Sequence, residues 1–465
     1  MPWPGGEAPS GPELQALVSA AVELADLERA EEFLEASEKG EDREHVVVFQ
    51  DDIDSGLYED KERLFLIGDA LFSHEFRRED GYGDSELPRL SRIHDGVRGG
   101  LDTFSCAGCH SVGGPDGAGA ETQNAFLAGD GDRASSANVR NPPAVLGLGF
   151  VQALAAEMSY DLGALRAQAI EDAALRGAPV TVALESKGVG FGSLTAHPDG
   201  AVDGAAIEGV SEDLVVRPFG WKGTGARLRR FVEDAARVHF GVQSHVLALA
   251  YKDDPDEDHL GPGPDWWDPD GDGYQRELEE GSITAAAVDL TLLETPTVVP
   301  PYDPGLRDRW ASGSARFDAI GCTGCHVREL TLLYSTWEEA PDTTGGPPVR
   351  INLLGEGDEP RGSGLVRLFS DLKRHDMGEE LADPHDNEEG VPRRVFLTRP
   401  LWGLAESPPY LHDGRAATVP EAILAHGGEA TASRDAFAAL SPEEQADVHI
   451  FLLSLSRAPK VRVAQ

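Results

Sequence analysis

The sequence is short of basic residues and of long apolar segments, and each shortage excludes a class of protein. Lys and Arg total 40 against 82 Asp and Glu, a formal net charge of −42. Such a charge repels phosphate backbones, so we do not expect nucleic-acid binding. No run of about 18 apolar residues is present, so no membrane span is expected. The acidity favours solubility, and it would also attract a cationic partner protein.

Length and composition indicate a folded protein of more than one domain. The 465 residues exceed the roughly 250–300 that one hydrophobic core organises. A content of 40% hydrophobic and 26% charged residues excludes a wholly disordered chain. Apolar residues recur at helical spacing and regular strands look few, so we expect a mostly α protein. The predicted helical or apolar segments are 12–36, 64–72, 153–176, 225–250 and 308–320, with a partly β-like stretch at 180–192.

All four cysteines belong to two Cys-x-x-Cys-His motifs. Two thiols at this spacing can each form a thioether with one vinyl group of a haem, and the following His then ligates the iron. A redox dithiol does not need the His, a disulfide would not explain it, and a zinc site would draw four ligands from both motifs. The motifs predict two covalent haem c groups, held by Cys106, Cys109 and His110 and by Cys322, Cys325 and His326.

Haem c is attached outside the cytoplasm in bacteria, so we expect a periplasmic or otherwise exported protein. The opening residues, Met1-Pro2-Trp3-Pro4, carry neither the basic nor the apolar segment of a secretory leader. We give the haem motifs more weight than this missing signal.

A segment rich in Pro, Gly and Asp, residues 252–273, separates the two motifs and is typical of a linker. The sequence shows no convincing repeat beyond the haem motifs. The expected domains are an N-terminal helical extension (1–58), a first haem c domain (59–251), a linker (252–300) and a second haem c domain (301–465).

The C-terminal segment contains two helix-start patterns. Thr418-Val-Pro-Glu421 and Ser441-Pro-Glu-Glu444 both fit the capping box. A Gly-Gly pair at 427–428 predicts the end of the first helix, so His426 should be its last residue.

Residues 60–457 resemble the bacterial di-haem cytochrome c peroxidases and, more closely, the related di-haem oxidoreductases. Besides the two haem motifs, the segments that carry the resemblance are Arg140–Pro143, Phe219–Lys222, Leu368–Asp371, His375–Gly378, Pro400–Leu404, Pro408–Arg415 and His426–Ala430. The resemblance implies two cytochrome-c-like haem domains packed together, with few short strands and long loops. It also implies an enzyme that reduces hydrogen peroxide at the first haem, where His110 is the catalytic ligand, with electrons relayed through the second.

The resemblance also suggests the sixth ligand of the second haem. In the peroxidases a distal Met lies fourteen residues after the His of a Tyr-x-His-Asp-Gly motif. Here that motif contains His412, and the residue at the corresponding position is His426. We expect a second haem ligated by His326 and His426, with Met377 as the alternative. Bis-His ligation should lower its potential relative to His/Met, which departs from the peroxidase scheme.

The first haem lacks an obvious sixth ligand. The peroxidases carry a removable His in a loop after the first motif, but no His occurs between His110 and His197. We expect this haem to be open or weakly ligated, as binding of peroxide or O₂ requires. Distant candidate ligands are His197, His239, His245 and Met158. Glu157 is a candidate acid–base group, although a helical Glu is more often solvated.

Two further groups of residues have candidate roles. The pattern Asp268-x-Asp270-x-Asp272-Gly-Tyr274 followed by Glu279 fits a calcium loop, with Glu277 as the alternative to Glu279 and an ion-free acidic turn as the alternative to calcium. The peroxidases also hold calcium between their domains. Tryptophans that would line the haems, but are more often core residues, are Trp221, Trp266, Trp267, Trp310 and Trp402.

The expected partners are a small oxidant such as hydrogen peroxide and a cationic electron-donor protein. Two other functions stay open. A non-catalytic electron carrier would have two six-coordinate irons, and an O₂-activating di-haem oxidase would use O₂ in place of peroxide.

Overall fold

The structure is a computed structural model that describes residues 47–58, 61–77, 80, 91–94, 97–100, 103–111, 125–127, 137–246, 248–249, 277–354, 364–385 and 390–456. The predicted helix at 12–36 and most of the predicted calcium loop lie outside these residues. Within them, no helix combines the length and the hydrophobicity that crossing a membrane requires.

The described part of the chain is mostly α, as predicted. The α-helices are α1 (Gln50–Asp54), α2 (Lys61–Phe72), α3 (Cys106–Cys109), α4 (Leu148–Arg176), α5 (Leu228–Ala235), α6 (Glu280–Leu292), α7 (Pro304–Ala319), α8 (Val419–Ala425), α9 (Thr431–Ala438) and α10 (Pro442–Leu452). A π-helix, Ala236–Phe240, continues α5.

The strands pair in twos, apart from one three-stranded sheet, and all these pairs are antiparallel. They are β1 (Ser91–His94), β2 (Val97–Gly100), β3 (Ala125–Leu127), β4 (Asn138–Arg140), β5 (Val180–Ser186), β6 (Val189–Ala196), β7 (Val202–Asp203), β8 (Thr297–Val298), β9 (Leu330–Leu332), β10 (Thr336–Glu339), β11 (Val349–Asn352), β12 (Gly364–Val366), β13 (Arg374–Asp376), β14 (Val395–Leu397) and β15 (Leu455–Ser456).

Helix α6 is buried along almost its whole length. It packs against α2 at Gly68, where an added Cβ would stand 2.3 Å from the backbone oxygen of Ala285. Such close helix contact needs a residue without a side chain. The sequence predicts that residues 280–292 belong to the linker, but they form a core helix. Small or apolar side chains occupy nearly every face of this helix.

Helix α4 and the sheet β5-β6-β7 form the largest hydrophobic cluster. The predicted helix at 153–176 is confirmed, and it begins earlier, after Gly147 in the left-handed conformation. Met158 is fully buried in this cluster. The predicted helix at 225–250 ends earlier than expected, at Phe240, because Gly241 turns the chain with a φ of 70°.

The second haem motif lies in a smaller unit built on α7, α8, α9 and α10. Its core contains Phe317, Phe437 and Phe451, all at most 2% exposed. Both predicted capping boxes are present, at Thr418 and at Ser441. They set where α8 and α10 begin. Helix α8 ends at Ala425, one residue earlier than predicted, and His426 is its C-cap.

Candidate functional site

A cavity of about 470 Å³ lies between the second haem motif and segments from the first half of the chain. Its size is in the range of small-molecule and cofactor sites. The residues of its wall that bear chemistry include Trp221, Cys322, Cys325, His326, His375, Met377, Arg399, Trp402, His412 and His426.

His326 is held by a backbone carbonyl. Its Nδ1 lies 3.0 Å from the oxygen of Phe369, and a carbonyl can only accept, so Nδ1 carries the proton. Phe369 has a φ of 54°, a strained value for a residue with a side chain. Burial lowers the pKa of His326 to about 4. The imidazole is therefore neutral with its lone pair on Nε2, the form that ligates a metal.

His110 has the same arrangement in the first motif. Its Nδ1 lies 2.9 Å from the backbone oxygen of Pro143. A phenylalanine from the preceding helix packs near each imidazole, Phe72 at 6.0 Å from His110 and Phe317 at 6.5 Å from His326 between ring centroids. The His of each motif therefore has the same tautomer, a hydrogen bond to a backbone oxygen and a neighbouring phenylalanine ring.

His426 lines the same cavity as His326. Its Nδ1 lies 2.7 Å from the backbone oxygen of Ala422 in the last turn of α8, so Nε2 again bears the lone pair. Burial lowers the pKa of His426. The following glycines let β13 approach the helix end, since a Cβ at Gly428 would stand 2.0 Å from the oxygen of Asp376.

His375 is on the cavity wall but is bonded through both ring nitrogens. Nε2 lies 2.8 Å from Asp371 and Nδ1 lies 2.8 Å from Glu429. Burial alone would lower the pKa of His375, but hydrogen bonds to Asp371 and Cys325 raise it to about 11. A cationic imidazole with both nitrogens donating cannot ligate iron.

Zinc is a poor fit to the cysteines. In the part of the chain that the structure describes, the one group of three or more His, Cys, Asp or Glu side chains with ligand atoms within 4.8 Å of one another is Cys325, Asp371 and His375. Cys106 packs in clusters with Phe72 and Phe76, and Cys322 packs in a separate cluster with Phe317. A single zinc site drawn from both motifs is therefore not formed.

A buried ion cluster joins the two halves of the chain beside the cavity. Asp383 pairs with Arg140 at 2.6 Å and with Lys222 at 2.8 Å. Burial alone would raise the pKa of Asp383, but the hydrogen bonds and charges of the two cations lower it. His412 lies 3.4 Å from the same carboxylate and stacks on Phe396 at 4.2 Å, and burial lowers the pKa of His412 to about 4.

Arg399 presents a buried positive charge to the cavity. Burial lowers its pKa to about 10, so it stays cationic at neutral pH. Its Nε is buried without a hydrogen-bond partner among the described residues, and its guanidinium lies 5.8 Å from the centre of the Trp221 ring. The donor set of neutral histidines, paired cysteines and a buried cation fits a haem, whose propionates are anions.

The other sequence candidates lie apart from this arrangement. Trp310 donates to Ser454 at 2.8 Å in the core of the second unit, and Met158 is in the α4 cluster. Glu157 is neither solvated nor in the cavity wall, because it accepts hydrogen bonds from Lys187 and from the backbone of Leu333 and Tyr334.

Other candidates are placed only in part. His197 follows β6, His239 lies in the π-helix and the backbone N–H of His245 donates to Leu278. Residues Asp268, Asp270, Asp272, Tyr274, Trp266 and Trp267 lie outside the described residues. Glu279 is buried at the start of α6, while Glu277 accepts a hydrogen bond from the backbone of Gln243.

Two solved structures show a weak likeness to this chain. Hydrazine synthase of Kuenenia stuttgartiensis is 20% identical with a TM-score of 0.23, over 39% of this chain and 57% of that one. A MauG-like protein associated with microbial copper homeostasis is 15% identical with a TM-score of 0.29, over 57% of this chain and 79% of that one. The chain thus spans less than two thirds of the hydrazine synthase chain.

No curated protein matches the sequence. A family model does match it, over residues 292–455, and its description is "Di-haem oxidoreductase, putative peroxidase". This match contains the second haem motif, His375, Asp383, Arg399, His412 and His426. Residues 292–455 are therefore similar to the di-haem oxidoreductase family.

Proposed function

We propose that this protein is an exported di-haem c-type oxidoreductase that reduces hydrogen peroxide at the haem of the first motif, with electrons relayed through the haem of the second. The observation that carries the proposal is the matched pair His110 and His326. Each has Nδ1 bonded to a backbone carbonyl, at Pro143 and Phe369. An imidazole fixed in this way is oriented as an iron ligand.

The cysteines would hold the two groups covalently. Cys106 and Cys109 precede His110, and Cys322 and Cys325 precede His326, so thioether bonds at each pair would place the iron over the following imidazole. A haem so bound supplies a redox-active iron. Reduction of one hydrogen peroxide to two waters consumes two electrons and two protons.

Protein groups set the surroundings of the second haem. His426 is proposed as the sixth ligand because its neutral Nε2 belongs to the same cavity as His326. Met377 also lines that cavity and stays the alternative. Arg399 would neutralise a propionate, and the apolar wall would exclude water and so strengthen this pairing.

Trp221 and His412 lie where the two halves of the chain meet. Trp221 donates to the backbone of Asn141 at 2.7 Å, and its ring is 6.4 Å from that of His412, edge to face. Trp221 comes from the first half of the chain and lines the cavity of the second haem motif. We propose that these rings keep the two haem units in a fixed relative position.

The test is electron paramagnetic resonance of the oxidised holoprotein together with its intact mass. Two covalent haems, one high-spin and one low-spin, support the proposal. Replacing His426 by Ala should turn the low-spin signal high-spin, whereas the control His449→Gln, on α10 outside the cavity wall, should change neither signal. A mass without two haem increments would contradict covalent attachment.

Turnover separates this function from the two alternatives. Two low-spin haems with no peroxide reaction would indicate an electron carrier. Product formation with O₂ but not with hydrogen peroxide would indicate the oxidase. Because the chain carries a net charge of −42, a basic cytochrome is the proposed donor, and its rate of electron transfer should fall as salt is raised.

A further inference from the structure

The structure contains a repeated loop that the sequence does not reveal. In the first half, Phe219 and Gly225 form an isolated antiparallel bridge, and in the second half Tyr410 and Ala416 form another. Each bridge closes a loop of the same length. The two loops have almost no sequence in common, so their likeness is visible only in the backbone.

The backbone angles and the following helices match as well. The second and fifth residues of each loop have positive φ angles: Gly220 at 75° and Gly223 at 63°, and Leu411 at 73° and Gly414 at 73°. The helix N-cap comes two residues after each loop, at Arg227 before α5 and at Thr418 before α8. Trp221 and His412 therefore hold equivalent positions, as do α5 and α8.

This equivalence extends to the face that each helix presents to its haem motif. The residues of α8 and its C-cap that line the cavity of the second motif are Val419, Ala422, Ile423 and His426. The equivalent residues of α5 are Leu228, Phe231, Val232 and Ala235. The first three belong to the hydrophobic cluster that contains Cys106 and Ala107 of the first motif. Helix α5 therefore presents to the first motif the face that α8 presents to the second.

The equivalent of the ligand candidate His426 is Ala235. A methyl group has no atom that ligates iron. The next residue, where α5 becomes a π-helix, is Ala236, so a shift of one residue in the comparison gives alanine again. The helix continues to Phe240 at this point, whereas α8 ends at Ala425 and His426 is its C-cap.

We infer that Ala235 keeps the sixth position of the first haem open and that the Ala235/His426 difference decides which haem meets the oxidant. This inference rests on the proposed function and specifies its site. The apolar face of α5, which includes Leu228 and Val232, suits a small uncharged oxidant such as hydrogen peroxide and disfavours anions.

The test introduces an iron-ligating side chain at position 235. In oxidised holoprotein, Ala235→His should convert the high-spin haem signal to low-spin and abolish cyanide binding to that haem. Ala235→Leu, which adds bulk without a ligating atom, is the matched control and should keep the high-spin signal. Ala235→Met is the second ligating variant, to be used if Ala235→His does not fold.

The outcomes separate the inference from the proposed function. A high-spin Ala235→His protein with native circular dichroism and two covalent haems would overturn the inference, and so would a wild-type protein whose first haem is already low-spin. A low-spin Ala235→His protein, in a chain whose wild type does not reduce peroxide, would uphold the inference and overturn the proposed function.

Discussion

The guanidinium of Arg140 and the carboxylate of Asp383 form a bidentate pair, with N–O distances of 2.8 and 2.6 Å. The two residues come from opposite halves of the chain, and Lys222 contacts the same carboxylate. Replacing Asp383 by Asn would remove the buried negative charge that both cations contact. We expect a loss of about 3–5 kcal/mol in the free energy of unfolding, measured by urea denaturation of the holoprotein.

The matched control for this change is Asp318→Asn. Asp318 pairs with Arg328 at 2.8 Å, but its side chain is 53% exposed. Exposed pairs contribute about 0–1 kcal/mol, so this variant should stay close to wild type. Equal losses in the two variants would show that the buried cluster has no special role.

The same cluster predicts a dependence of stability on pH. The pKa of Asp383 is lower in the folded protein than its ordinary value of roughly 3.9. Its contribution is therefore complete above that value and is lost as the pH falls through the lower folded pKa. The stability difference between wild type and Asp383→Asn should be constant near neutral pH and shrink below about pH 4. A difference that grows on acidification would contradict the assignment.

Local features of the sequence predicted the haem motifs and the helix starts, because each depends on residues a few positions apart. The capping boxes at Thr418 and Ser441 are examples. The sequence does not predict the hydrogen-bond acceptors of His110 and His326. They are the backbone oxygens of Pro143 and Phe369, and a backbone oxygen has no sequence signature.

Long-range features were missed for a similar reason. Nothing near Asp383 in the sequence indicates Arg140 or Lys222 as its partners. Arg399 becomes a candidate haem contact only because the fold buries it beside the cavity. The sequence predicts a linker where helix α6 lies, because small residues such as those in Ala285–Ala287 pack tightly without a strong amphipathic pattern. The repeated loop–helix unit is a likeness of backbone angles and could not be found from residue types.

Gly428 tests whether the close approach of β13 positions His426. An alanine there would place its Cβ 2.0 Å from the oxygen of Asp376, at a residue whose φ is 51°. We expect Gly428→Ala to displace His426 and to reduce the low-spin signal of the second haem. The control is Gly163→Ala in α4, where a Cβ meets nothing within 4 Å. That variant should be neutral or more stable by about 0.5–1 kcal/mol.

The calcium prediction can be tested at the residues next to α6. Glu279 is the twelfth residue of the loop that begins at Asp268, the position of the bidentate Glu in such loops, so we propose Glu279 as the bidentate ligand. Glu279→Gln should weaken calcium binding in isothermal titration by at least about tenfold, since a bidentate carboxylate is lost. Glu277→Gln should have the smaller effect, and the reverse order would assign the site to Glu277.

Arg399 should raise the reduction potential of the second haem. Its charge is buried at the wall that also contains His326, and a nearby cation favours the ferrous state, which carries one positive charge fewer. At an effective dielectric constant near 20, the interaction energy of two unit charges about 8 Å apart is about 2 kcal/mol. Arg399→Gln should therefore lower that potential by tens of millivolts in a spectroelectrochemical titration. Arg367→Gln, an exposed arginine paired with Glu329, is the control and should leave the potential unchanged. A potential that rises or does not move in Arg399→Gln would place the propionates elsewhere.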